Sequence, residues 1–151
     1  MVTLRDNIKT LLDDLDVFEE VSDEPKMNFS GYPACFISPS GNENDYQSTQ
    51  DNERVYGFKI WIFQEYEHTS LQDAYEKVMN MVDEVINQMD AQESPDISDA
   101  DRKIDNGVNT GAYTLIGVMA VPSRFASDES DRLIAAEVTI KCRVLVDLTQ
   151  L

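Results

Sequence analysis

The segment from Leu133 to Leu148 alternates between apolar and polar side chains more regularly than any other part of the chain. Successive side chains of a β-strand point to opposite faces of the sheet, so this alternation predicts a strand with one face in the core and one polar face. The apolar set is Ile134, Ala136, Val138, Ile140, Cys142, Val144 and Val146, and the polar set is Glu137, Thr139, Lys141, Arg143 and Asp147.

Two other segments have the three- and four-residue spacing of amphipathic helices. Thr3 with Asp6 is positioned to cap the first, and Ser70 with Asp73 forms a capping box at the start of the second. The first helix has Leu4, Ile8, Leu11, Leu12 and Leu15 on its apolar side, and the second has Leu71, Ala74, Tyr75, Val78, Val82, Val85, Ile86 and Met89.

Three further short apolar runs are typical of strands, at residues 32–38, 55–64 and 113–121, the last of which we expect to end at Pro122. Together these elements predict one α+β domain spanning residues 1–151. We expect two helices packed on one face of a mainly antiparallel four-stranded sheet, in chain order α-β-β-α-β-β, with a long polar hairpin arm.

Three polar segments separate these elements, near residues 39–54, 91–112 and 122–132, and we expect them to be flexible. The strand at 55–64 is unusual because both of its faces are apolar near Trp61 and Phe63. An antiparallel sheet in a monomer normally leaves one face polar, so either a helix or loop of the same chain or a second subunit covers that face.

The charge excludes one class of function. Twelve basic and 29 acidic side chains give a formal net charge of −17, which repels the phosphates of a nucleic acid. No apolar stretch reaches the roughly 20 residues of a membrane span, and the first residues lack the order of a signal peptide, so we expect a cytosolic chain without membrane contact. Cys35 and Cys142 lie among apolar neighbours and are interpreted as two buried thiols, with a disulfide between them as the alternative.

The residues that usually support catalysis are scarce. His68 is the sole histidine, and no paired Cys/His spacing or glycine-rich phosphate loop is present. Asp96, Asp99, Asp101 and Asp105 have the wrong spacing for a calcium loop, since Lys103 stands where the third ligand belongs. We therefore predict no enzyme activity, no catalytic residue, no metal and no cofactor.

The layout resembles the tail terminator and tail completion (neck) proteins of long-tailed bacteriophages. The resemblance covers nearly the whole chain and lies in the order and spacing of LRDNIKTLLDDL, YPACFISP, the polar arm, RVYGFKIWIF, DAYEKVMNMVDEVINQM and AAEVTIKCRVLVDL. It implies a virion protein that caps the tail tube as a ring, usually a hexamer, stops tube growth and offers a docking surface to the head–tail connector protein. DNA then passes through an acidic lumen without specific binding, and the protein is found in the host cytoplasm during assembly and later at the head-proximal end of the tail.

If the chain forms such a ring, the contacts with neighbouring subunits, the tail tube protein and the connector are expected in the polar arm, around the two aromatic residues and in the link before the last strand. The candidate interface residues are Asn42, Asn44, Asp45, Tyr46, Asp51, Trp61, Phe63, Arg124 and Phe125. Three alternatives stay open at this point: a related head-completion or neck protein, an acidic DNA-mimic inhibitor of a nucleic-acid-binding enzyme, and a small hydrolase that uses His68.

Overall fold

The computed structural model describes residues 2–46, 50–66, 70–130 and 132–151, with residues 43–46 described at the backbone only. His68, which the hydrolase alternative requires, lies outside the described residues. The described elements are helix α1 (Val2–Asp14), strands β1 (Glu20–Ser22), β2 (Ala34–Tyr46) and β3 (Asp51–Glu65), helix α2 (Leu71–Ala91), and strands β4 (Tyr113–Asp128) and β5 (Leu133–Asp147).

The five strands form one sheet in the order β1-β2-β3-β5-β4, in which β1 and β2 are parallel and all other neighbours are antiparallel. The α+β class with two helices is confirmed. The four-strand count and the order α-β-β-α-β-β are wrong, because β1 adds a strand before β2. That strand has only three residues, too few for an alternation to be visible in the sequence.

Both helices pack against the same face of the sheet and share one core with it. The predicted apolar face of β5 is confirmed, because all seven of its members are at most 1% exposed. The predicted cap at Ser70 is also confirmed, since its hydroxyl accepts a hydrogen bond from the backbone N–H of Asp73 at 3.2 Å. Thr3 lies inside α1, which begins at Val2, so the predicted cap there is wrong.

The strands continue into two of the predicted polar segments. β2 and β3 remain paired out to Tyr46 and Asn52, so the arm is a β-hairpin whose ladder depends on backbone groups and not on apolar side chains. β4 passes Pro122 by means of a register shift between Pro122 and Arg124. A proline is tolerated there because β4 is the last strand of the sheet and a bulge absorbs the missing N–H.

The segment between α2 and β4 consists of turns that two buried amides attach to the core. The side-chain carbonyl of Gln92 accepts from the backbone N–H of Lys103 at 2.7 Å and of Ile104 at 3.2 Å. Asn7 of α1 donates to the carbonyls of Ile104 at 2.9 Å and Asn106 at 2.8 Å. These bonds hold Ile104, which is 2% exposed, in the core.

Candidate assembly surface

The face of the sheet opposite the helices, called here the outer face, carries the aromatic residues singled out in the sequence. Alternate residues of β3 point to it, including Lys59, Trp61 and Phe63, which are all partly exposed. The strand register places Phe36 of β2 beside Trp61, Glu137 of β5 on its other side, and Arg124 of β4 beyond Glu137.

An aromatic cluster covers one end of the outer face. Phe63 lies 5.4 Å from the ring of Phe29, 5.6 Å from Phe36 and 6.5 Å from Trp61, measured between ring centroids. Phe29 belongs to the segment that connects β1 to β2, and it also contacts Tyr32 at 6.0 Å. A loop of the same chain therefore covers part of this face, as one of the two alternatives predicted, while Trp61 and Phe63 remain partly exposed.

The side chain of Arg124 extends across β5, which lies between β4 and β3, to reach Trp61. Its guanidinium carbon lies 5.9 Å from the centre of the indole ring, within the range of a cation–π contact. Three of the predicted interface residues, Trp61, Phe63 and Arg124, are thus gathered on one surface by the register of β3, β5 and β4.

Beneath this surface lies a carboxylate from the polar set of β5. Glu137 is only 3% exposed, although it belongs to the predicted polar face. It accepts a hydrogen bond from the hydroxyl of Ser123 at 2.8 Å and lies 3.5 Å from the ammonium of Lys59. Thr139 donates to Ser123 at 3.1 Å and completes the network. A buried carboxylate is tolerated when it is paired and hydrogen-bonded in this way.

The other candidate residues lie elsewhere. Phe125 pairs with Ala136, whose side chain is in the core, so Phe125 is on the helix side of the sheet and is 49% exposed. Asn42 is exposed and pairs with Tyr56, five residues from Trp61 along β3, or roughly 17 Å at the rise of a strand.

The remaining arm residues are further from the aromatic cluster. Asn44, Asp45 and Tyr46 pair with Arg54, Glu53 and Asn52, in that order, and Asp51 begins β3. The candidate residues therefore fall into two groups, one at the aromatic cluster and one along the hairpin arm.

Sequence reasoning missed the exposed apolar residues of β4. Met119 is 55% exposed and Val121 is 42% exposed, both on the outer face beside Lys141 and Thr139, and Ile116 is 44% exposed at a register shift. The sequence does indicate these exposed residues, because the run YTLIGVMAV is apolar at successive positions. β4 is an edge strand, so some of those side chains are left uncovered. In the described part of the chain, β5 is the only strand paired with β4.

The described residues hold neither a metal-binding cluster nor a thiol that is ionised at neutral pH. In those ranges, no group of three or more His, Cys, Asp or Glu side chains is placed to hold a metal ion. Burial raises the pKa of the Cys35 thiol far above its usual value and that of Cys142 to about 12, so both thiols are protonated at neutral pH. Both are free and buried, as predicted. Among the described helices, none is long and apolar enough to cross a membrane.

Comparison with known proteins shows a similarity of fold. No family model matches the chain, and no curated protein matches it. Among solved structures, a chain from the virion of a native gene transfer agent (GTA) particle is similar, with a TM-score of 0.51 and 12% sequence identity. The match covers 93% of this chain and 92% of that chain. The two chains therefore share a fold over almost their whole lengths.

Proposed function

We propose that this chain is a structural component of a virion that caps the end of a tail tube as a ring, stops tube polymerisation and provides the docking surface for the head–tail connector protein. The observation that supports the proposal best is the shared fold with a virion chain of similar length, matched over 93% and 92% of the two chains. The proposed partners are other copies of the chain, the tail tube protein and the connector protein.

Two surface features of the described residues support an assembly role. β4 is an edge strand of 16 residues, and an edge of that length normally needs a partner or a protective device. The same strand exposes Ile116, Met119, Val121 and Phe125, each by 42% or more. Apolar residues concentrated along an edge strand are typical of a surface that another protein covers.

The charge supports a conduit for DNA. A ring of six copies would carry a formal charge of 6 × (−17) = −102, and acidic side chains lining its lumen would repel a passing duplex. Weak attachment of this kind suits a channel through which DNA moves without specific binding.

The test is to locate the chain in virions produced by the genome that encodes it. Gold-labelled antibody against the chain should mark the junction of head and tail, and the purified chain should shorten the tubes formed by the tail tube protein of the same genome. Label at the junction without an effect on tube length would favour a head-completion or neck protein instead. Unlabelled virions, together with inhibition of a DNA-binding enzyme by the free chain, would favour a DNA mimic.

A further inference from the structure

Side chains of the same chain occupy the backbone edge of β4 over its first half. On an edge strand, alternate N–H and C=O groups point away from the sheet and are available to a strand of another molecule. The backbone N–H of Leu115 instead donates to the side-chain oxygen of Asn109 at 2.8 Å. That of Val118 donates to the carboxylate of Glu93. These two outward donors are therefore already satisfied.

Two further features obstruct the same stretch. Thr110 and Tyr113 exchange backbone hydrogen bonds at 2.9 and 3.3 Å, so the start of β4 is paired with the turn before it. Pro122 has no N–H to offer. Between Val118 and Pro122, alternation along the strand leaves one outward donor, the N–H of Ala120. We call residues 113–122 the capped half of β4, and we call Glu93 and Asn109 its edge caps.

Both edge caps are positioned by hydrogen bonds of their own. Glu93 follows the last turn of α2, and its backbone N–H donates to the carbonyl of Asp90 at 3.1 Å. Asn109 donates its side-chain N–H to the carboxylate of Asp105 at 3.3 Å, which leaves its side-chain oxygen to accept from Leu115. A side chain that is already ordered loses little conformational entropy when it accepts a hydrogen bond.

The other edge of the sheet is obstructed by different means. β1 pairs with β2 from Ala34 to Phe36. Beyond that stretch Pro39 lacks an N–H, and the register shifts between Pro39 and Gly41. Prolines, bulges and covering segments are the devices by which natural sheets avoid pairing edge to edge. The edge caps of β4 therefore belong to a pattern that both edges of this sheet follow.

We propose that Glu93 and Asn109 prevent β4 of one copy from pairing with β4 of a second copy. The inference goes beyond the proposed function and does not depend on the ring. Two β4 edges related by a two-fold axis would run antiparallel and pair through their outward backbone groups. Ile116 and Met119 lie in the capped half and are 44% and 55% exposed, so an uncapped β4 would be a long apolar edge prone to aggregation.

The edge caps also restrict how the chain assembles with partners. A neighbouring molecule contacts the side chains of the capped half, because the backbone donors there are occupied. Past Pro122 the restriction ends. The N–H groups of Phe125 and Ser127 point outward, and among the described residues no group accepts a hydrogen bond from them.

The experiment removes the edge caps singly and together, as Glu93→Ala, Asn109→Ala and the double variant. Hydrogen exchange followed by NMR reports on each amide of β4 separately. We expect the amide of Val118 to exchange about tenfold or more faster in Glu93→Ala, and that of Leu115 to do so in Asn109→Ala. The amide of Met119 points toward β5 and should exchange at the wild-type rate in both.

Light scattering across a range of concentrations tests the consequence of uncapping. The double variant should associate beyond the mass of the wild type, because two donors of each edge then seek new acceptors. We expect this association to begin at a concentration about tenfold or more below that at which the wild type exceeds its own starting mass.

Two controls separate capping from charge. Glu93→Gln removes the same negative charge but retains an oxygen acceptor, so its mass and its Val118 exchange should resemble those of the wild type. Glu84→Ala removes a negative charge from an exposed position of α2 and should leave both unchanged. Far-ultraviolet circular dichroism and the Tm verify that every variant is folded. If the double variant unfolds, the two single variants supply both measurements.

Three results would overturn the inference: wild-type exchange at Val118 in Glu93→Ala, faster exchange in the uncapped variants without any gain in mass, or a Glu93→Gln variant that associates as readily as Glu93→Ala. The proposed function is judged separately, by the effect of the wild-type chain on tube length. A chain that shortens tubes and shows any of these three results refutes the edge caps alone.

Discussion

Removing the carboxylate of Glu137 tests whether the buried network holds the outer face together. Glu137→Ala deletes the acceptor of the Ser123 hydrogen bond at 2.8 Å and leaves Lys59 without its partner. A hydrogen bond to a charged group contributes about 1.5–3 kcal/mol, whereas an ion pair to a side chain as exposed as Lys59 adds less than about 1 kcal/mol. The alanine variant also avoids the cost of burying a charge, so we expect a net loss of about 2 kcal/mol in the free energy of unfolding.

The assay is urea unfolding followed by the fluorescence of Trp61, the sole tryptophan, which pairs with Glu137 across β3 and β5. In a thermal melt followed by the same fluorescence, the Tm should fall by roughly 4–8 °C, at about 2–4 °C per kcal/mol for a domain of this size. Glu137→Gln keeps an acceptor for Ser123 and should lose about half as much.

The matched control is Glu65→Ala, which removes an exposed carboxylate from the same face and should change the stability by less than about 0.5 kcal/mol. A Glu137→Ala variant as stable as this control would refute the reasoning. So would a glutamine variant that is less stable than the alanine variant.

Three further predictions concern the core and the start of α2. Ile140→Ala, at a fully buried position of β5, should cost about 2–5 kcal/mol in urea unfolding, and a loss below about 1 kcal/mol would contradict the placement of β5 in the core. Ser70→Ala removes the N-terminal cap of α2 and should cost about 1 kcal/mol, with Ser70→Asp retaining most of the stability. The raised thiol pKa values make stability fall as the pH rises above about 9, because the thiols of the unfolded chain then ionise while those of the folded chain stay protonated. Between about pH 9 and about pH 11, the free energy of unfolding of Cys142→Ala should fall less than that of the wild type. An equal fall in the two proteins would count against the burial of the thiol.

The candidate site was predictable where it depends on residue type within one strand. The apolar character of both faces near Trp61 and Phe63 is visible in VYGFKIWIFQ and correctly indicated a face that needs cover. The contact of Arg124 with Trp61 was not predictable. It depends on a register shift after Pro122 and on two successive strand pairings, and a shift of one residue would turn Arg124 to the other face.

The sequence by itself determined the elements whose side chains repeat with a local period. The alternation of β5 and the helical spacing of α2 specify which side chains are buried, because burial there follows from the direction of successive side chains along one element. The buried thiols follow for the same reason, since Cys142 occupies one of the apolar positions of β5.

Only the tertiary structure decided the features that depend on neighbours distant in the sequence. The three residues of β1 form a strand because β2 provides backbone partners, and the polar arm is a hairpin because its two strands pair with each other. Glu137 lies in the polar set of its strand and is nevertheless buried, because Trp61, Ser123 and Arg124 of the flanking strands surround it. Cross-strand partners are fixed by register and packing, which a local pattern of residues does not contain.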